Sequence, residues 1–277
     1  MLKKGFAFLA TLSLIVLVGC GGGSGSAPAG GATGGGTSTG GGGPKKEPKK
    51  TAGGAAKEAY AADKHKGSVK GLVAFEGEAP KQPKIDTSGD KKCHDMHASE
   101  PLLKEEVIVK DGKLKNVIVY LKSGTDKFSY ETPANEVVID QKGCQYIPHV
   151  AAVMVEQKVT FTNSDDLLHN VHGKGKSNPE FNISQAKAGV KDSKKLAEPE
   201  LPYTVGCDVH KWMNCKIGVF DHPFFAVTGD DGAFEIKGVP AGDYEVEAWH
   251  ETLGTQTGKA TVAADGSAEV KFSFKGK

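Results

Sequence analysis

Cys207-Asp208-Val209-His210-Lys211-Trp212-Met213 sets a thiol, an imidazole and a thioether at intervals of three residues. Soft sulfur holds Cu(I) and imidazole tolerates both copper oxidation states. A two-histidine, one-cysteine set with a weak axial methionine therefore suits an electron-transfer copper ion. The stretch supplies three of those four donors. The missing histidine must come from a neighbouring loop, and Leu168-His169-Asn170-Val171-His172 offers His169.

Working outward, Lys158-Val159-Thr160-Phe161-Thr162-Asn163 reads as a strand, Ser164-Asp165-Asp166 as a turn, and His169 falls in the next rising segment. Lys216 to Phe220 reads as a closing strand. Upstream, Val69, Gly71, Val73 and Phe75 alternate with other residues, and strand-like runs follow at 107–109, 116–121, 137–139 and 152–155. Asp111-Gly112, Ser123-Gly124 and Lys142-Gly143 punctuate them. No long stretch of helical period precedes the polar segment Lys187 to Leu196. Short strands between turn signals predict an all-β chain built as a sandwich.

These strings resemble the cupredoxins, in which a strand ending in Asn leads into the first copper histidine. They are most similar to the amicyanin-like type 1 blue copper proteins, which combine His-Asn-Val-His with a Cys-x-x-His-x-x-Met loop. The resemblance implies a cupredoxin-like Greek-key β-sandwich over residues 67–221, with one copper held by His169, Cys207, His210 and Met213. It further implies that Asn170 ties the two ligand loops together and hydrogen-bonds near the thiolate. His210 would be the exposed ligand through which electrons pass, and Trp212 and Lys211 would lie on a docking surface. Lys211 stands where that family has proline, which makes this face more cationic.

Four cysteines follow Cys20, allowing three pairings. With Cys93 joined to Cys144, Cys207 is left for copper and Cys215 is unpaired; the competing pairing joins Cys207 to Cys215 as a structural disulfide. A binuclear copper centre does not fit, because both of its cysteines precede its His and Met. His172, His149, His222 and His250 read as structural. Cys93-His94-Asp95-Met96-His97 is rich in donors but lacks the first Cys of a haem attachment string. No Gly-x-Ser-x-Gly elbow, phosphate-cradling glycine loop or His-Glu-x-x-His pair occurs, and four protein ligands leave no open position for a substrate, so an enzyme is not expected.

Beyond Asp221, residues 222–277 alternate again through Val227, Phe234, Ile236, Tyr244 and Val246. Thr228-x-x-x-Gly232-x-Phe234 and Pro240-x-Gly242-x-Tyr244 resemble a carboxypeptidase regulatory-like module, which implies a smaller prealbumin-like β-sandwich. The segment is short for such a module. The expected arrangement is two adjoining sandwiches; the alternative is that strands from within 68–121 complete the second, with the copper unit inserted between.

At the other end, Lys3 and Lys4 precede an apolar run from Phe6 to Val18, too short to span a bilayer and suited to a signal peptide. Leu17-Val18-Gly19-Cys20 resembles a bacterial lipobox, which implies cleavage after residue 19 and a lipid on Cys20. Residues 20–66 are Gly-, Ser-, Lys- and Pro-rich and read as a disordered tether with a reach of roughly 35–40 Å. The chain has 35 basic residues against 34 acidic ones, which gives no footprint for nucleic acid. The expectation is a monomeric, lipid-anchored, extracytoplasmic carrier of single electrons between a redox donor and an acceptor. Copper storage or delivery, or a structural surface lipoprotein, are the competing functions.

Overall fold

A computed structural model of the chain describes residues 57–276. The signal segment, Cys20 and the tether up to residue 56 lie outside the described residues. The described chain is all-β apart from a 3-10 turn at Ala62–Lys64 and one short helix, Lys91–Met96.

Alternation along the strands decides which faces meet. In His169–Lys174 every second residue, His169, Val171 and Gly173, is buried, and in Asn214–Phe220 the buried set includes Cys215, Ile217 and Val219. These faces close a first sandwich. One sheet orders Phe181–Gln185, His169–Lys174, Glu200–Gly206, Asn214–Phe220 and Val150–Met154; the other orders Lys191–Lys194, Val159–Asn163, Val137–Gln141 and Tyr146–Ile147. Ile139, Val153, Phe161, Val171, Val205 and Ile217 fill the space between them. The polar stretch with helical period is thus partly an edge strand. Ser193 and Asp192 sit opposite Thr160 and Phe161, and strand pairing overrides local periodicity.

The second sandwich is interleaved with the first. Gly67–Glu76 pairs antiparallel with Ala233–Val239 and parallel with Ser267–Lys275, while Ile118–Leu121 lies between Phe225–Val227 and Gly242–His250. The expected boundary after residue 221 is therefore replaced: early strands belong with the C-terminal ones, and the first sandwich enters the chain between them. Two adjoining sandwiches in sequence order would leave the core side of Gly67–Glu76, with Val69 and Val73 fully buried, without its partners Ile236, Val270 and Phe272. Ile118 from this sandwich and Val150 and Phe220 from the other form a small apolar joint.

Residues 57–66 correct a second expectation. Glu58–Ala59 pairs with Phe128–Ser129, and Tyr60 packs on Phe224 and donates its hydroxyl hydrogen to the Gly238 carbonyl at 2.6 Å. Tyr60, together with this strand pairing and the stacked His65, ties the end of the polar segment to the core. Among the described residues no helix is long and apolar enough to cross a membrane.

Candidate metal centre

Strand parity assembles the site. Tyr203 and Val205 point inward, so Cys207, two residues on, continues that face past the strand end; Met213 stands two residues before Cys215 on the returning strand. Gly206 pairs with Asn214, leaving the seven residues between them as a closed loop. The loop is held by Cys207 N–H donating to the Met213 carbonyl at 3.1 Å and Met213 N–H donating to the His210 carbonyl at 2.9 Å. The second contribution comes from the turn before His169. Buried Asn163 accepts from Asp165 N–H at 2.9 Å and donates to the Leu167 carbonyl at 2.9 Å, which folds the turn back beneath His169.

The donors converge inside the protein. His169, Cys207, His210 and Met213 are 0%, 4%, 1% and 2% exposed. Nδ1 of His169 lies 2.9 Å from Nδ1 of His210, which is itself 3.9 Å from Cys207 Sγ. With metal–nitrogen bonds of about 2.0–2.1 Å and metal–sulfur bonds of about 2.3 Å, one ion can reach all three atoms. The sulfur accepts from the N–H of Asn170 and of His210, each at 3.3 Å. Burial pushes the Cys207 thiol up, but these donors and the two imidazoles outweigh it and bring the value down to about 5. A thiolate is the form that ligates metal. This cluster is a candidate metal-binding group.

Around it stand groups the sequence did not single out. Gly143 and Cys144 are both left-handed, at φ 62° and 55°, as a primed hairpin turn requires. Their consecutive N–H groups donate to the Asp165 carboxylate at 2.8 Å each, and the same carboxylate meets His169 Nε2 at 2.9 Å. Burial alone would lower the His169 value; Asp165 and then Cys207 raise it to about 9. Tyr146 clamps the two strands that carry the candidate donors, its hydroxyl reaching the carbonyls of Asn170 and, at 3.2 Å, Gly206. The only advance signal for Asp165 is its place four residues before His169.

Three expectations change here. His210 is enclosed: the segment carrying Lys91–Met96 covers it, and Asp90 Oδ2 stands 3.3 Å from its Nε2. Trp212 is half-buried, with its indole N–H donating to the Cys144 carbonyl at 3.1 Å and its ring 5.2 Å from that of His210. It does not frame an exposed ligand. The Asn170 side chain turns outward to Asn182 at 3.0 Å, and Asn182 reaches Asp208 at 2.6 Å, so Asn170 approaches the sulfur through its backbone alone. Lys211 is exposed, near Asp208.

Cys93 and Cys144 form a disulfide, and Cys207 and Cys215 are free. Cys215 is a core residue whose thiol burial pushes up. His172 lies on the outward face between Asp208 and Glu180, which its parity opposite to His169 dictates. A cavity of about 510 Å³ opens beside Trp212 and Met213, with His149 and Glu251 paired in its wall.

No family model matches the chain, and no curated protein does. Among solved structures it is similar to a purple cupredoxin from Nitrosopumilus maritimus, at 21% identity over 30% of this chain and 98% of that one, with a TM-score of 0.27. It is similar also to an amicyanin variant in its Cu(I) form, at 21% identity over 36% and 97%, with a TM-score of 0.28. A copper-containing nitrite reductase from Thermus scotoductus matches at 14% identity over 53% of this chain and 28% of that one, with a TM-score of 0.29.

Proposed function

We propose that this chain is a lipid-anchored, extracytoplasmic type 1 copper protein that carries single electrons between redox partners. The observation that supports the reading is the convergence of two imidazole Nδ1 atoms on one thiolate inside a rigid β-sandwich, beside a buried methionine. His169, Cys207 and His210 would hold the ion strongly and Met213 weakly. Bound there, copper supplies a one-electron couple. The chain's own part is to fix the donors: Asp165 orients His169, the Asn170 and His210 N–H groups stabilise the sulfur's charge, and strand pairing at Gly206 and Asn214 anchors the loop. Trp212, in contact with His210 and lining the open cavity, is the aromatic path from ligand to surface.

The enclosure of His210 favours a second reading, copper storage or delivery, because a covered ligand slows electron transfer to a docked partner. Film voltammetry of the copper-loaded chain separates the two. A reversible one-electron wave with fast interfacial transfer is expected; copper that shows no wave and passes to a chelator would support storage instead.

A further inference from the structure

Nε2 of His210 is buried and has no hydrogen-bond partner. Asp90 Oδ2 stands 3.3 Å away, close enough for an ion contact but out of line for a hydrogen bond. Asp90 is committed elsewhere through Oδ1, which accepts from Lys92 and Cys93 N–H at 2.9 and 3.1 Å and caps the short helix. The helix residue Cys93 then completes a group of donor atoms, with Asp90 and His210, lying within 4.8 Å of one another. Its disulfide partner Cys144 belongs to a matching group with Asp165 and His169. The disulfide thus lies against the outer edges of both ligand histidines.

In the disulfide, neither sulfur is a thiolate, and the thiolate is the metal ligand. Reduction changes that. A dithiol gives two electrons and two protons to the Cys93–Cys144 bond, which breaks to two thiols while the dithiol closes to its own disulfide. The Cys93 sulfur, the Asp90 carboxylate and the His210 imidazole already lie within 4.8 Å of one another, and reduction frees the Cys144 sulfur beside Cys93; two sulfurs, a carboxylate and an imidazole nitrogen are a donor set for four-coordinate zinc.

We propose that Cys93 and Cys144, once reduced, form with Asp90 and His210 Nε2 a second metal site for a thiophilic divalent ion of the zinc type. Binding releases one proton from each thiol, and the ring proton of His210 as well when its Nδ1 already holds an ion. Asp165 stays on His169, so the first centre keeps its orienting carboxylate. The site is closed in oxidising surroundings and opens on reduction. The inference stands on Cys93, Cys144, Asp90 and the outer ring edge, and does not need copper at the first centre.

The test is native mass spectrometry of the full copper-treated chain, before and after reduction with a phosphine and anaerobic desalting, with Zn2+ added to each form. One more zinc per chain in the reduced form is expected, and the extra ion should be absent from a C93S/C144S double variant. Equal zinc in both redox forms, or an undiminished gain in the double variant, would overturn the proposal. Should that variant fold poorly, alkylation of the reduced wild-type chain decides: Zn2+ should protect Cys93 and Cys144, and equal labelling with and without zinc contradicts the site. Failure of the copper reading registers separately, in the thiolate-to-copper absorption of the oxidised chain.

Discussion

Replacing Asp165 by asparagine perturbs the candidate metal centre at one remove. The carboxylate is nearly buried and accepts three hydrogen bonds: His169 Nε2 at 2.9 Å and the N–H groups of Gly143 and Cys144 at 2.8 Å. An asparagine keeps one oxygen and turns the other into an NH2 group facing a donor. One bond is lost outright, leaving a buried N–H unpaired, and the survivors lose their charge assistance. A hydrogen bond to a charged group is worth about 1.5–3 kcal/mol, so Asp165→Asn should cost the metal-free chain about 2–3 kcal/mol. The orienting effect on His169 should fall with it, weakening metal binding by about 10- to 100-fold. Urea unfolding of the metal-free chain measures the first quantity and chelator competition the second. A variant within about 0.5 kcal/mol of wild type that also binds metal equally well would refute the reasoning, because a surface-like substitution has that size.

Acid should weaken the second sandwich through His250. Its Nδ1 accepts from Thr252 and Leu253 N–H at 3.2 and 3.3 Å, a role open only to the unprotonated nitrogen. Burial, only partly offset by Glu251, holds its value down at about 4 against the usual 6.5. Between those values the unfolded chain binds the proton and the folded chain does not, so stability is full above pH 6.5 and falls as the pH drops through 4, by about 3 kcal/mol. In pH-dependent unfolding, His250→Asn should flatten that slope; an unchanged slope would assign it elsewhere. Removing the Cys93–Cys144 crosslink, which spans 51 residues, should cost about 4 kcal/mol on the chain-entropy account. Denaturation of the reduced chain measures it, and a loss under about 1 kcal/mol would mean that the unfolded ensemble is already restricted there.

What the sequence made legible was local. Strand alternation and the spacing within Cys207 to Met213 and within Leu168 to His172 bring the two ligand strings to one end of one sandwich, because residues two apart share a face and the loop closes on a registered pair. What stayed hidden depends on distant pairings. Gly67–Glu76 could be read as an opening strand of the C-terminal module, but only as one of two arrangements, because its own residues do not tell that it joins Ser267–Lys275. The cover over His210 was illegible for a different reason: six residues of polar helix, held by an aspartate cap and a disulfide, carry no apolar periodicity. Asp165 looks like an ordinary turn residue, and its role appears only when the left-handed turn at Gly143 and Cys144 arrives beside it.

The central claim is that Cys207 binds copper as a thiolate between His169 and His210. Its most direct measurement is the visible absorption and spin-resonance spectrum of the oxidised chain after loading with one equivalent of copper. Intense thiolate-to-copper absorption that disappears in Cys207→Ser is the predicted result. A copper-loaded chain without that band, or one that keeps it after Cys207→Ser, would contradict the assignment.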